Sequence, residues 1–267
     1  MPTHTLPDGA LLAYDDVGQG RPVVLLHGMS MSRGYFARNV DALASRFRVL
    51  NVDLRSHGES PTSPGGNTVA QMARDVHHLI GALGLERPVL VGWSMGTMVT
   101  WDLVRQFGAD AIGGHVVVSQ GPSDLVRDDW PLGAFPLPDL LALLAGAQGD
   151  YRATMEEIVP LMVKHAPGED ELRHLVDMAC TIDPNAGTCV MLDQSVQDYR
   201  DVLAGPTPPT LLTWGRDEKL ISVANGEWLS ERLGVPLHVF EESGHCPMWE
   251  EPEAWSALVA DWVGSLA

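Results

Sequence analysis

A serine between two glycines, Gly92-Trp93-Ser94-Met95-Gly96, is the stretch of this chain best suited to chemistry. A serine hydroxyl is a weak nucleophile at neutral pH. It needs an imidazole to take its proton, and the imidazole needs a carboxylate to fix its tautomer and stabilise its charge. The apolar run Val89-Leu90-Val91 enters the motif and a helical pattern leaves it. G-x-S-x-G therefore stands in the strand-turn-helix setting where it lifts the hydroxyl clear of a sheet and aims a helix N-terminus at the group attacked. The turn is too sharp for side chains two residues either side of the serine, hence Gly92 and Gly96. Two further segments, Gly215-Arg216-Asp217 and Ser243-Gly244-His245, each follow an apolar run. With Asp217 as the carboxylate and His245 as the base, the chain order Ser, Asp, His is the one that accompanies this elbow.

Acyl transfer also needs donors for the oxyanion that forms when a serine attacks a carbonyl. The backbone amides of Met95, just after the nucleophile, and Met29, just after His27-Gly28, are the candidates. Each feature alone has a plainer reading: G-x-S-x-G arises by chance, Gly-Arg-Asp is an ordinary turn, Gly-His a loop, and Met29 a core residue. Their joint placement just beyond apolar runs argues for a site, because open α/β sheets bind ligands at the carboxyl ends of their strands. No metal or cofactor is expected. His77 and His78 are neighbours and cannot share a helix face, no HExxH occurs, and Cys246 has no elbow or base of its own.

The elements that must hold these residues alternate. Apolar runs at Leu11–Tyr14, Val23–Leu26, Arg48–Leu54, Val89–Val91, Val116–Val118, Pro209–Trp214 and Leu237–Phe240 predict strands, most of them buried on both faces. Helical patterns lie between them at Tyr35–Leu43, from Thr68, at Met98–Phe107 and at Ala224–Leu233, with a closing helix carrying Trp255, Leu258, Val259, Trp262, Val263 and Leu266 on one face. In the helix from Thr68, residues Val69, Met72, Val76, Leu79, Ile80 and Leu83 form the apolar face, with Arg74, Asp75 and His78 largely off it. The alternation predicts the α/β class with a mostly parallel, doubly wound sheet. From Ser123 to Gly205 strand signals vanish. Helices are expected at Asp139–Ala147, Thr154–His165, Glu169–Thr181 and Cys189–Leu203, laid over the sheet as an insertion. Its Met155, Met162, Met178 and Met191 are adaptable enough to line a pocket, although their helical spacing favours core packing.

Composition narrows the partners. Seventeen Lys and Arg against 35 Asp and Glu give a formal charge of −18, which repels phosphate backbones and anionic lipid, so neither nucleic acid nor a membrane is an expected partner. The first residues show no basic and apolar leader pattern, and no apolar run is long enough to span a bilayer, so a cytoplasmic location is expected. Three cysteines without ligand spacing look like small hydrophobes, with a Cys180–Cys189 bridge left open. Oligomeric state is not legible.

Taken together, Leu26-His27-Gly28, Asp53-Leu54-Arg55-Ser56-His57-Gly58-Glu59-Ser60, the Ser94 elbow, Trp214-Gly215-Arg216-Asp217 and Ser243-Gly244-His245 resemble the α/β-hydrolase superfamily. The similarity is greatest to its bacterial esterase, cofactor-free haloperoxidase-like and enol-lactone hydrolase branch. The resemblance implies an α/β-hydrolase fold with a helical cap inserted after the sixth strand: a core of residues 1–122 and 206–267, and a cap of 123–205. It implies Ser94 as nucleophile, Asp217 as acid, His245 as base, and the Met29 and Met95 amides as oxyanion hole. Certain relatives keep the acid where Asp124 stands, but Asp217 has the commoner context. Ser56 and Thr97 occupy positions where the family usually has glycine, and Thr97 bears on how closely its helix approaches the sheet. The expected activity is cleavage of a small, largely apolar carboxylic ester or lactone through an acyl-serine. Carbon–carbon bond hydrolysis, cofactor-free oxygenase or lyase chemistry, and a slow-turnover receptor are the alternatives.

Overall fold

Apolar runs that do not alternate with polar residues need cover on both faces of their sheet, and the chain supplies it. In the computed structural model, which describes residues 2–266, eight strands form one sheet: β1 (Thr3–Thr5), β2 (Leu11–Val17), β3 (Pro22–Leu26), β4 (Arg48–Val52), β5 (Val89–Trp93), β6 (Gly114–Val118), β7 (Thr210–Gly215) and β8 (Leu237–Phe240). Their spatial order is β1-β2-β4-β3-β5-β6-β7-β8. The β1–β2 and β2–β4 pairs are antiparallel and every other pair is parallel. The α-helices are α1 (Val40–Ala44), α2 (Val69–Ala82), α3 (Met95–Phe107), α4 (Leu137–Gly149), α5 (Tyr151–Ile158), α6 (Glu169–Ala179), α7 (Pro184–Val196), α8 (Val223–Leu233), α9 (Pro247–Glu250) and α10 (Pro252–Ser265).

Side chains of a strand point alternately to the two faces, and the core divides accordingly. Val23, Leu25, Val49, Val91 and Val118 pack with Leu43, Trp255 and Val259 on one face. Val24, Leu26, Leu50, Leu90 and Val117 pack with α2, α3 and α8 residues such as Met72, Met98 and Leu229 on the other. Between β6 and β7 the chain forms α4 to α7, the helical cap, and cap residues Tyr151, Met155, Met162 and Leu175 join the first of these clusters. No helix among the described residues is long and apolar enough to cross a membrane.

Three departures from the expected elements have local causes. The helix expected over Tyr35–Leu43 is a 3-10 turn, Arg33–Phe36, followed by the short α1. At the break Asn39 is buried and donates to the Met248 carbonyl at 2.9 Å and Ser256 Oγ at 3.0 Å, bonds that tie the interruption to α9 and α10. The helix expected over Thr154–His165 gives way after Ile158 to a 3-10 turn, Val159–Met162, because Pro160 has no N–H to continue the ladder. The one expected over Cys189–Leu203 begins five residues earlier, where Asp183 caps the amides of Asn185 and Ala186 and Pro184 occupies the first turn.

Asp75, assigned above to the outer face of α2, is buried. It accepts two bonds from the equally buried Arg55, at 2.7 and 2.8 Å, so α2 buries a polar position beside its apolar stripe. A buried carboxylate is tolerated there because the guanidinium fork meets it in a bidentate pair. Cys180, Cys189 and Cys246 are all free thiols, which closes the question of a Cys180–Cys189 bridge.

Candidate active site

The strand order reverses around β4-β3-β5, and the carboxyl ends of β3, β5, β6, β7 and β8 lie side by side along one edge. The chain leaves β5 through Ser94 at φ 51°, ψ −120°, a backbone conformation that side chains other than glycine rarely adopt. Both elbow glycines are required by close approach. A β-carbon at Gly96 would overlap the Leu26 carbonyl oxygen, and one at Gly92 would overlap the Thr97 and Gly96 backbone. Thr97 does not loosen this contact: fully buried, it donates through Oγ1 to the Gly92 carbonyl at 2.5 Å and so fastens α3 back to β5. Ser94 makes no side-chain cap bond to α3, and its hydroxyl donates instead to Gln120 Oε1 at 3.3 Å. Ser30 and Ser119, just past β3 and β6, also have positive φ, so backbone strain gathers along this edge.

His245 lies beyond β8 and lines the same cavity as Ser94. Two bonds fix it. Trp93 Nε1, on the residue before the nucleophile, donates to the His245 carbonyl at 2.8 Å. Its ring Nδ1 lies 2.7 Å from Glu218 Oε2. The Glu218 side chain is wholly buried, and its other oxygen accepts from the amides of Leu220 and Ile221 at 2.8 and 3.2 Å. A carboxylate bonded this way makes Nδ1 the protonated nitrogen and leaves Nε2 as the acceptor.

The carboxylate on the imidazole is therefore that of Glu218, and the expectation for Asp217 is corrected by one residue. Asp217 is 46% exposed and pairs with Lys164 Nζ of the cap at 3.0 Å. Its backbone amide donates to the Ser243 carbonyl, and the two successive side chains diverge, one outward to the cap and one inward to His245. The only trace of this in the sequence is a pair of adjacent acids after β7, which leaves a one-residue ambiguity that strand ends alone do not resolve.

The loop after β3 reaches the nucleophile closely: a β-carbon on Gly28 would lie 3.2 Å from Ser94 Cβ. Met29 lines the cavity, and Met95 opens α3, where first-turn amides have no partner within the helix. Two buried histidines hold this loop. His27 Nε2 accepts from the Leu54 amide at 3.0 Å and His57 Nε2 accepts from the Ser30 amide at 3.2 Å, with each Nδ1 turned to a backbone carbonyl. Both rings must be neutral to accept, and burial keeps them so, pushing their pKa values down to about 4 and about 3. From the cap, Tyr151 joins its hydroxyl to that of Ser30.

At the end of β6 stands a second buried carboxylate. Asp124 is fully desolvated, which raises its pKa against the opposing effect of two donors, Gln194 Nε2 at 2.7 Å and Gln120 Nε2 at 2.6 Å. It lines the cavity but its bonds go to glutamines. Neither glutamine carried any mark in the sequence. The cavity measures about 260 Å³ and its walls are mainly apolar, with Phe135, Leu143, Ile158, Leu161 and Met191 among them. Of the four cap methionines considered above, Met191 is the one that lines it, while Met155 and Met162 are buried in the core cluster.

The chain resembles known proteins along nearly its whole length. The chain is 27% identical over 253 residues to a pimeloyl-[acyl-carrier protein] methyl ester esterase of Chromobacterium violaceum, covering 94% of this chain and 97% of that protein. Among solved structures it superposes on an esterase from Exiguobacterium antarcticum with a TM-score of 0.94 at 24% identity, covering 98% of this chain and 99% of that one. It superposes on the enol-lactonase from Burkholderia xenovorans LB400 with a TM-score of 0.87 at 22% identity, covering 99% of this chain and all (100%) of that one. The family model for the alpha/beta hydrolase family matches residues 23–258, from β3 into α10 and including the cap, and the chain belongs to that family.

Proposed function

We propose that this chain is a serine hydrolase that cleaves small carboxylic esters or lactones through an acyl-serine, with Ser94, His245 and Glu218 as its triad. The observation that carries the reading is the buried Glu218–His245 pair facing a cavity that also holds a serine on a strained elbow. In the reaction the Ser94 hydroxyl turns from Gln120 to His245 Nε2, loses its proton there and attacks the carbonyl carbon. Glu218 stabilises the imidazolium without taking its proton. The developing oxyanion is received by the amides of Met29 and Met95. His245 returns the proton to the leaving alcohol, and a water activated by the same imidazole then releases the acid.

The apolar walls favour an uncharged acyl or alcohol portion, and a volume of about 260 Å³ favours a compact one, since sites for larger ligands run from roughly 300 to 1,000 Å³. The name of the Chromobacterium relative supports ester cleavage, and that of the Burkholderia neighbour supports lactones. Steady-state hydrolysis of p-nitrophenyl esters of increasing acyl length, with simple lactones alongside, tests the proposal in wild type and Ser94→Ala. The expected result is turnover of short to medium esters that falls by about a thousandfold or more in the variant. Equal rates in the two folded proteins would rule out Ser94 as the nucleophile.

A further inference from the structure

Behind the wall at the Asp124 end of the cavity lies an acceptor that the reaction above does not use. Gln194, on the cap helix α7, lines the cavity with Ser94 and His245 and is only 5% exposed. Its Nε2 donates to Asp124 Oδ2 at 2.7 Å, and its Oε1 is buried with no hydrogen-bond partner. Other buried polar atoms among the described residues also lack partners, but Gln194 Oε1 alone belongs to a residue lining this cavity.

The orientation is dictated by the carboxylate between the two glutamines. An amide oxygen turned toward Asp124 would set two acceptors against each other, so both Gln120 and Gln194 must present their nitrogens to it. Both carbonyl oxygens are thereby turned away from Asp124. That of Gln120 receives the Ser94 hydroxyl, and that of Gln194 receives nothing. A buried acceptor without a donor is destabilising, and a ligand that brings a donor removes the penalty once a shift of the Gln194 side chain opens Oε1 to the cavity. Asp124 acts here as a positioning residue that holds Gln194 ready.

We propose that the preferred substrate carries a hydrogen-bond donor, a hydroxyl or an amide N–H, which Gln194 Oε1 receives while the rest of the molecule lies against the apolar walls. The substrate class becomes hydroxy- or acylamino-substituted esters and lactones in place of plain alkyl esters. This rests on the ester-hydrolase reading above and narrows it.

The test uses matched pairs and reads the ratio of kcat/KM within each. On the acyl side these are p-nitrophenyl butyrates and hexanoates bearing a hydroxyl at C2, C3 or C4 against their methyl ethers, and an acetamido ester against its N-methyl counterpart. On the alcohol side the pair is 2-hydroxyethyl against 2-methoxyethyl butyrate, followed by pH-stat. Wild type should favour the donor-bearing member of at least one pair by about tenfold or more, chiefly through KM. In Gln194→Met, which keeps the length and removes the acceptor, that ratio should fall to near one. Ratios near one for every pair in wild type, or a preference that survives in Gln194→Met, would overturn the inference. Should Gln194→Met not fold, the wild-type pairs decide alone. Hydrolysis of the ethers without a donor preference would remove only this inference, whereas hydrolysis of no ester at all would remove the function on which it rests.

Discussion

The edge of the sheet and the cap that covers it are built on opposite principles. On the edge, the chemical groups stand on the ends of neighbouring parallel strands, within a residue or a few of a ladder whose register fixes them. Their supports are buried and internal to the core: Trp93 to His245, Glu218 to its own turn, and His27 and His57 to the loop after β3. The cap is helical and is held to that edge at separate points, by Tyr151 to Ser30, Gln194 to Asp124 and Lys164 to Asp217 and Glu242. In the proposed reaction the edge supplies the reacting groups, and the cap walls the space beside them. Two adjacent acids mark the boundary, with Glu218 belonging to the edge and Asp217 to the cap.

That division predicts its largest effect at Glu218. Glu218→Gln keeps the side-chain shape, but the Leu220 and Ile221 amides claim its oxygen, so its nitrogen meets Nδ1 and favours the wrong tautomer, and it removes the charge that stabilises the imidazolium. We expect kcat on the best p-nitrophenyl ester to drop by about 10³ to 10⁴ with little change in KM. A loss of only a fewfold would mean that another carboxylate serves His245, and Asp124, within the same cavity, would be the one to test next.

A second effect concerns acid. His27, His57 and His115 are buried as neutral rings, their pKa values lowered by desolvation from 6.5 to about 4, about 3 and about 3. Between pH 6.5 and those values the unfolded chain binds protons that the native one refuses. The stabilisation is complete above pH 6.5 and is lost as pH falls toward 4, at up to about 1.4 kcal/mol per pH unit for each ring. The melting temperature should therefore fall steeply over that window, and two of the three rings hold the loop after β3. Substituting Gln for His57 should flatten the profile in proportion to one ring. A profile unchanged by that substitution would show that the edge owes its acid lability to other groups.

The same contrast explains what could be read from residue order alone. Strand runs such as Val23–Leu26 and Val116–Val118 are unambiguous because burial on two faces leaves no polar position, and the elbow is unambiguous because only glycine fits beside the Leu26 carbonyl. The sheet and the places of Ser94 and His245 at its strand ends are legible for those reasons. Glu218 is not, because the choice between neighbouring acids depends on how one turn is wound, which Asp217 and Glu218 do not themselves encode. Asp75 escapes for a related reason: its partner Arg55 lies outside α2, 20 residues away in the chain and near only in space. Gln120 and Gln194 escape altogether, since a neutral amide has no signature until it meets a carboxylate across the cavity.

The smallest expected effect is the one that most sharpens the boundary between edge and cap. Lys164 reaches Asp217 at 3.0 Å and Glu242 at 3.2 Å and donates to the Glu241 carbonyl at 2.7 Å, a cluster close to solvent whose pairs are screened by salt. Asp217→Asn and Lys164→Met each break one side of the same contact. Both should leave kcat within about threefold of wild type, shift KM in the same direction, and give a double variant no worse than the poorer single, because each removes an interaction the other has already lost. Raising the salt concentration should move wild-type KM toward that of the variants. If Asp217→Asn instead lowered kcat as far as Glu218→Gln, without a matching effect of Lys164→Met, Asp217 would belong to the catalytic edge after all. The two acids would then have to exchange places at His245 during turnover.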